Sequence, residues 1–272
     1  MIYAEVTVSD DFTPEIISEG WVRGTKQRSC INPHGKLKPP GNGTSVTLVA
    51  NTHRVAVRVA QLTGSDRKLS PVVKWRLVQE NFPIGALMNG ETHVFDGSVF
   101  KDATGRQCFM MVALPKTIAE SIGAMAEEKW GSVHRLARLD TMEHMLFRHF
   151  AVAPVRKRPN VADLKQNDNS MLSPVEETPL SLWVIFPQDT GFRVLCINHG
   201  LPQGAYSVSN HPELREAELG RAWEADTPGH VIIHTRKSED TNWIQEQLQG
   251  RGATTENQIF CCPACFTSKT QL

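Results

Sequence analysis

The order of apolar and polar stretches between residues 180 and 250 constrains this chain more than any other feature. Leu182-Trp183-Val184-Ile185-Phe186 is an unbroken apolar run, short enough for a buried strand. Gln188-Asp189-Thr190-Gly191 has turn chemistry and leads to a second strand, Phe192 to Ile197. Asn198-His199-Gly200 then turns the chain into a third strand at about 203–209. Asn210-His211-Pro212-Glu213 opens a helix reaching Trp223, which Asp226-Thr227-Pro228-Gly229 breaks. Val231-Ile232-Ile233 makes a strand, and Ser238 to Leu248 a last helix that Gly250 ends. The order is β-β-β-α-β-α. Tight turns make the first three strands an antiparallel meander, whereas a strand reached across a helix needs a parallel crossover.

The first half is a looser version of the same pattern. Val46, Leu48 and Ala50 alternate with polar neighbours, and Val55, Val57 and Val59 do so again after Asn51-Thr52-His53, which predicts a β-hairpin. Ser70-Pro71 opens a helix, Ser as N-cap and Pro in the first turn, that runs to Glu80. Strands near 92–100 and 107–114 are joined by Asp102-Ala103-Thr104-Gly105. Thr117-Ile118-Ala119-Glu120 is a capping box, and Ile118, Ile122, Met125 and Ala126 form one apolar stripe behind it. A short strand at about 133–139 and a helix opened by Asp140-Thr141-Met142-Glu143 complete this half.

These patterns divide the chain into an irregular N-terminal arm (1–43), a first lobe (44–152), a linker (153–179), a second lobe (180–250) and a Cys-containing tail (251–272). The arm is read as irregular because Asn32 to Gly43 alone holds three prolines and three glycines. The linker has prolines, charges and the run Gln166-Asn167-Asp168-Asn169-Ser170, with no sustained period.

Lys plus Arg and Asp plus Glu number 29 each, a formal net charge of zero, so no general basic face argues for a nucleic-acid partner. The one local basic run, Arg156-Lys157-Arg158, falls in the linker and is read as solvated. No stretch approaches the roughly 18 uncharged apolar residues of a membrane span. The first residues, with Asp10 and Asp11 close behind, show neither the basic nor the apolar region of a signal peptide. The expected location is the cytoplasm. Cys30, Cys108 and Cys196 are scattered and read as buried free thiols.

The β-β-β-α-β-α order is that of a ribonuclease-H-like lobe. Several segments resemble two related bacterial proteins: the cytoplasmic actin-like component of type IV pilus assembly (the PilM type) and the cytoplasmic part of the type II secretion L protein. They are the helix holding Val73-Lys74-Trp75-Arg76, the strand closing on Val112-Ala113-Leu114-Pro115-Lys116, helix 117–130, Arg138-Leu139-Asp140-Thr141-Met142-Glu143, and Leu182 to Gly200. The resemblance spans roughly residues 44–250, in element order and short apolar patterns rather than a signature motif. It implies an α/β fold of two ribonuclease-H-like lobes. It also implies a scaffold under the inner membrane that binds an inner-membrane assembly protein and touches a motor ATPase.

Departures from the resemblance bear on chemistry. Actin-like ATPases end the first strand of the second lobe on an acidic residue and follow it with Gly-rich backbone that cradles phosphate. Here that strand ends Ile185-Phe186-Pro187, and Asp189-Thr190-Gly191 reads as a hairpin turn. After strand 231–233 the chain reads His234-Thr235-Arg236 where the adenosine-side Gly-Gly would fall, and residues 1–43 show no phosphate loop. The expectation is therefore a non-enzymatic chain with no catalytic residues and no cofactor. The alternative is an ATP-binding switch, or an ATPase with a degenerate phosphate site.

Outside that frame, Cys262 and Cys265 have the C-x-x-C spacing of zinc or redox sites. They are a weak metal candidate, because no second pair completes a four-ligand set. His144 and His149, five apart, do not share a helix face, and His230 and His234 flank a strand as ordinary alternates. These four are read as surface or satisfied core histidines. Trp75, Trp183, Trp223 and Trp243, one per element, are read as packing residues.

Overall fold

A computed structural model describes residues 2–23, 27–31, 46–62, 69–83, 88–102, 104–130, 136–151, 181–235 and 241–259. The linker 153–179, the Arg156-Lys157-Arg158 run, and Cys262 and Cys265 lie outside the described residues.

The second lobe follows the order its sequence predicts. Strands β9 (Ser181–Gln188), β10 (Gly191–Asn198) and β11 (Leu201–Ser209) form an antiparallel meander. Helix α4 (Pro212–Ala225) then leads to β12 (His230–Thr235), which lies parallel to β9. Helix α5 (Asn242–Gly250) leads to β13 (Thr254–Ile259), parallel to β12. The sheet order is β11-β10-β9-β12-β13. The ninth strand's register explains its unbroken apolar run. Leu182, Val184 and Phe186 join a core shared with the first lobe, while Trp183 and Ile185 pack with Leu219, Ala222, Ile244 and Leu248. A strand covered on both faces has no polar side to show.

The first lobe repeats that topology. Strands β1 (Ile2–Val8), β2 (Pro14–Arg23) and β3 (Gln27–Ile31) are an antiparallel meander. Strands β4 (Val46–Ala50) and β8 (Leu136–Thr141) extend it in parallel, giving the order β3-β2-β1-β4-β8. Helix α3 (Met142–Phe150) follows, its N-cap Thr141 accepting from the His144 N–H at 3.2 Å. Between β4 and β8 the chain inserts a separate antiparallel sheet, β5 (Ala56–Leu62), β7 (Gln107–Pro115) and β6 (His93–Lys101), in the order β5-β7-β6. Helix α1 (Pro71–Asn81), capped by the Ser70 hydroxyl, and α2 (Lys116–Trp130) belong to this insertion. Buried Ile118, Ile122, Ala126 and Trp130 carry the inner stripe of α2.

Three expectations are corrected. Residues 1–43 are not wholly an irregular arm, because β1 to β3 form the meander of the first lobe. Ile2, Ala4, Val6 and Val8 alternate onto its buried face, a pattern overshadowed by the Pro- and Gly-rich stretch that follows. The hairpin expected at 46–59 does not form. All five residues of β4 are buried between β1 and β8, and Asn51 to Val55 carry the chain into a different sheet. Residues 251–272 are not all tail, since β13 is the outer strand of the second sheet.

Candidate functional site

The two lobes meet along a seam that is apolar in its body and polar at its rim. Leu182, Val184, Phe186, Leu195, Ile197, Leu201 and Ile232 share one buried core with first-lobe residues, including Leu48, Met110 and Met142. Each such side chain taken from water stabilises by about 1.5–3 kcal/mol. Phe186, at the end of the apolar run of β9, is fully buried in this core.

Above this core, the segment from Asn51 to Val55 grips both hairpin turns. Its backbone starts from β4 and is pinned by the Asn51 N–H donating to Val6 O at 2.8 Å. Asn51 Nδ2 donates to Glu5 Oε1 at 2.8 Å in its own lobe and to Pro187 O at 3.2 Å in the other. Glu5 is fully buried, and the Ser18 hydroxyl donates to its second oxygen at 2.8 Å. His53 Nδ1 lies 3.0 Å from both Asp189 oxygens in the β9–β10 turn. Arg54 reaches the β1–β2 turn, 3.2 Å from Asp10 Oδ1, and its guanidinium lies 4.5 Å from the centre of the Phe12 ring. That turn also carries Asp11, whose carboxyl is held below its ordinary range by the Ser9 hydroxyl and by Thr13. Both turns thus bear carboxylates that are already bonded to a histidine and an arginine.

A buried ion pair joins Glu143 on α3 to Arg193 on β10. Arg193 Nε lies 3.3 Å from Glu143 Oε1, its Nη1 donates to Ser207 Oγ at 2.6 Å, and its Nη2 donates to Val55 O at 2.9 Å. Glu143 is fully buried, and burial pushes its carboxyl up to about 7 despite the guanidinium beside it. The same loss of water lowers the pKa of Arg193. Both directions say that desolvation outweighs mutual attraction, as is common for buried ion pairs. Glu143 Oε2 and Asn51 Oδ1 are buried with no hydrogen-bond partner among the described residues. No group of three or more metal-ligating side chains occurs among the described residues.

Asp189 and Thr190 form the tight β9–β10 turn, with Gln188 facing Gly191 across it. Sequence reasoning named Glu143 and spanned Arg193 only within longer segments and never paired them, because they lie fifty residues apart on different lobes. His144 is a buried core histidine with partners, and His149 packs against Phe150 with ring centres 4.7 Å apart. His230 has a partner that local sequence could not show, Glu256 on the neighbouring strand at 3.5 Å. His234 is buried near Phe150, and burial, with a smaller contribution from His149, lowers its pKa to about 3. Trp183 and Trp223 meet edge to face, while Trp75 remains partly exposed beside Phe95.

Two sheets of order 3-2-1-4-5, each a meander extended by two parallel strands, define an α/β protein of two ribonuclease-H-like lobes, the actin-like architecture. No protein-family model and no curated protein sequence matches the chain. Among solved structures, it is similar to a protein with actin-like ATPase fold and unknown function from Bacteroides thetaiotaomicron (9% identity, 98% of this chain and 96% of that one, TM-score 0.47). It is also similar to a chain of the PilM-PilN type IV pilus biogenesis complex (12%, 94% and 87%, TM-score 0.47). A third similarity is to the cytoplasmic domain of EpsL, an inner-membrane component of the type II secretion system of Vibrio cholerae (11%, 99% and 96%, TM-score 0.40). The fold assignment rests on strand order and register. No helix among the described residues is long and apolar enough to cross a membrane.

Proposed function

We propose that this protein is a nucleotide-independent scaffold of a bacterial type IV pilus or type II secretion-like assembly machine. In this reading it works by binding rather than by an ATP cycle. It acts at the inner face of the cytoplasmic membrane, held there by an inner-membrane assembly protein and contacting a motor ATPase. The observation that carries the scaffold half of the reading is the filled seam. His53 on Asp189, Asn51 on Pro187 O, and Arg193 on Glu143 and Val55 O hold the two lobes together along it. Opening would also expose Phe186 and its apolar neighbours to water. A hinge that turns over nucleotide needs a cheap opening, and this one is expensive. The machine half is supported by the two-lobed fold and by the resemblance of residues 73–76, 112–130, 138–143 and 182–200 to the pilus and secretion proteins.

The test is affinity purification of the tagged full chain from its native host, with mass spectrometry of what co-purifies. Recovery of a single-span inner-membrane protein together with a hexameric motor ATPase is expected. Recovery of neither, from membranes whose complexes are kept intact, would remove the assembly-machine assignment.

A further inference from the structure

A second polar cluster sits on another side of α3, where the inserted sheet meets the first lobe, and it has the connectivity of a serine nucleophile with its base. Asp140 is the penultimate residue of β8 and His144 lies in the first turn of α3, four residues on. The helix start fixes both. Thr141 caps the His144 N–H, and the Thr141 N–H donates to Asp140 Oδ1 at 3.0 Å. The same carboxylate oxygen lies 2.8 Å from His144 Nδ1. A carboxylate can only accept, so Nδ1 carries a proton, and in the neutral imidazole Nε2 is the acceptor. Facing Nε2 at 2.6 Å is the hydroxyl of Ser98, forty-six residues away on the edge strand β6. Arg148, one helical turn beyond His144, donates from Nη2 to Ser98 Oγ at 3.3 Å and lies 3.6 Å from Asp140 Oδ2.

The burial gradient runs the right way for chemistry. Asp140 and His144 are 7% and 1% exposed at their side chains, Ser98 is half-buried, and Arg148 is 40% exposed. The base is thus shielded, while the hydroxyl is only half-buried and the cation beside it is partly exposed. Gly97 makes the placement possible. A Cβ there would lie 2.6 Å from Met110 O and 2.7 Å from the Phe109 ring, so only glycine lets β6 press this closely on β7. The Gly97 N–H already binds a carboxylate oxygen, Asp96 Oδ1, at 2.7 Å.

We propose that Ser98 is an activated nucleophile, with His144 as its general base, Asp140 as the positioning residue for the imidazole, and Arg148 as the cation that receives developing negative charge. The chemical class it suits is a carboxylic ester carrying an acidic group, which Arg148 would also attract. Ser98 Oγ bonds to the carbonyl carbon while its proton passes to His144 Nε2 and the carbonyl π pair moves to oxygen. Collapse expels the alcohol, which takes the proton from His144 and leaves an acyl ester on Ser98. Water, deprotonated by the same nitrogen, then releases the carboxylic acid and restores the hydroxyl. Nucleophile, base and orienter within hydrogen-bond reach are the geometric mark of this mechanism, whatever the fold. The proposal is independent of the scaffold reading, which concerns the seam.

The probe is a fluorophosphonate on the full chain, read by intact mass and peptide mapping. Ser98 Oγ bonds to phosphorus, fluoride leaves, and the proton goes to His144. One label at Ser98 is expected, none in Ser98→Ala, and labelling slowed on the order of 100-fold in His144→Gln. Asp140→Asn, which frees the imidazole to take the wrong tautomer, should both slow labelling and displace its pH profile, an effect a purely structural role would not produce. Should His144→Gln fail to melt cooperatively, the native chain still decides. Its labelling rate must rise with pH as one imidazole deprotonates and then level off. A folded chain that leaves Ser98 unlabelled, or labels it with no such dependence, overturns the proposal.

Discussion

Replacing Arg193 by Met keeps most of the side chain's length while deleting the only charge that accompanies Glu143 in the seam contact described above. Arg193 is 5% exposed, and its loss strands a fully buried carboxylate and removes donors from Ser207 Oγ and Val55 O. Breaking a buried pair from one side costs about 3–5 kcal/mol, which for a chain of this size lowers Tm by roughly 10 °C or more. The cost depends on pH in a definite sense. The Glu143 carboxyl is already raised from 4.5 to about 7 in the native state, so the folded protein holds that proton more tightly than the unfolded chain. Its contribution is fully present below pH 4.5 and is lost as pH rises through about 7, a change of about 3 kcal/mol at roughly 1.4 kcal/mol per pH unit. Without the guanidinium the native carboxyl rises further, so Arg193→Met should lose more stability between pH 6 and pH 8 than the parent does. Urea denaturation at those two pH values measures it. The double change Glu143→Leu with Arg193→Met should recover most of the loss and remove the steeper pH dependence. A single variant that loses under about 1 kcal/mol at pH 8, or the same amount at both pH values, would refute the reasoning.

His234 acts in the opposite sense. Its native pKa near 3 lies below the ordinary 6.5, so its stabilisation is complete above pH 6.5 and is lost as pH falls toward 3. His234→Leu should therefore flatten the acid limb of the stability profile relative to the parent, as seen by thermal melting in steps from pH 7 to pH 4. At Gly191, a Cβ would lie 2.0 Å from Val208 O, so Gly191→Ala should cost about 1–3 kcal/mol through displacement of β11, measured by the same melts.

Much of the second lobe was legible because its punctuation is local. Gln188 to Gly191 and Asn198 to Gly200 mark turns within a few residues, and the strands between them are apolar throughout. The first lobe was harder, for two physical reasons. Its opening meander places Glu5 in the interior, where Ser18 and Asn51, distant in sequence, donate to the buried acid. Its fourth strand is fully buried, so the polar residues after Ala50 read as a hairpin turn although they carry the chain between sheets. The seam was not legible as a contact surface. What fills it, His53 on Asp189 and Arg193 on Glu143, arises from contacts across more than a hundred residues or between different lobes. The sequence reading set His144 against His149 and so passed over Asp140, four residues before it, and Ser98, which lies on a strand of another sheet.

The central claim, that the lobes form one nucleotide-independent unit, is tested most directly by thermal unfolding of the full chain with and without saturating Mg-ATP. A ligand bound only to the native state at about 100 times its Kd adds about 2.7 kcal/mol and raises Tm by several degrees. The account predicts the same transition in both conditions. A reproducible rise of that size, absent when Mg-ATP is replaced by magnesium and sulfate, would contradict it and return the seam to nucleotide.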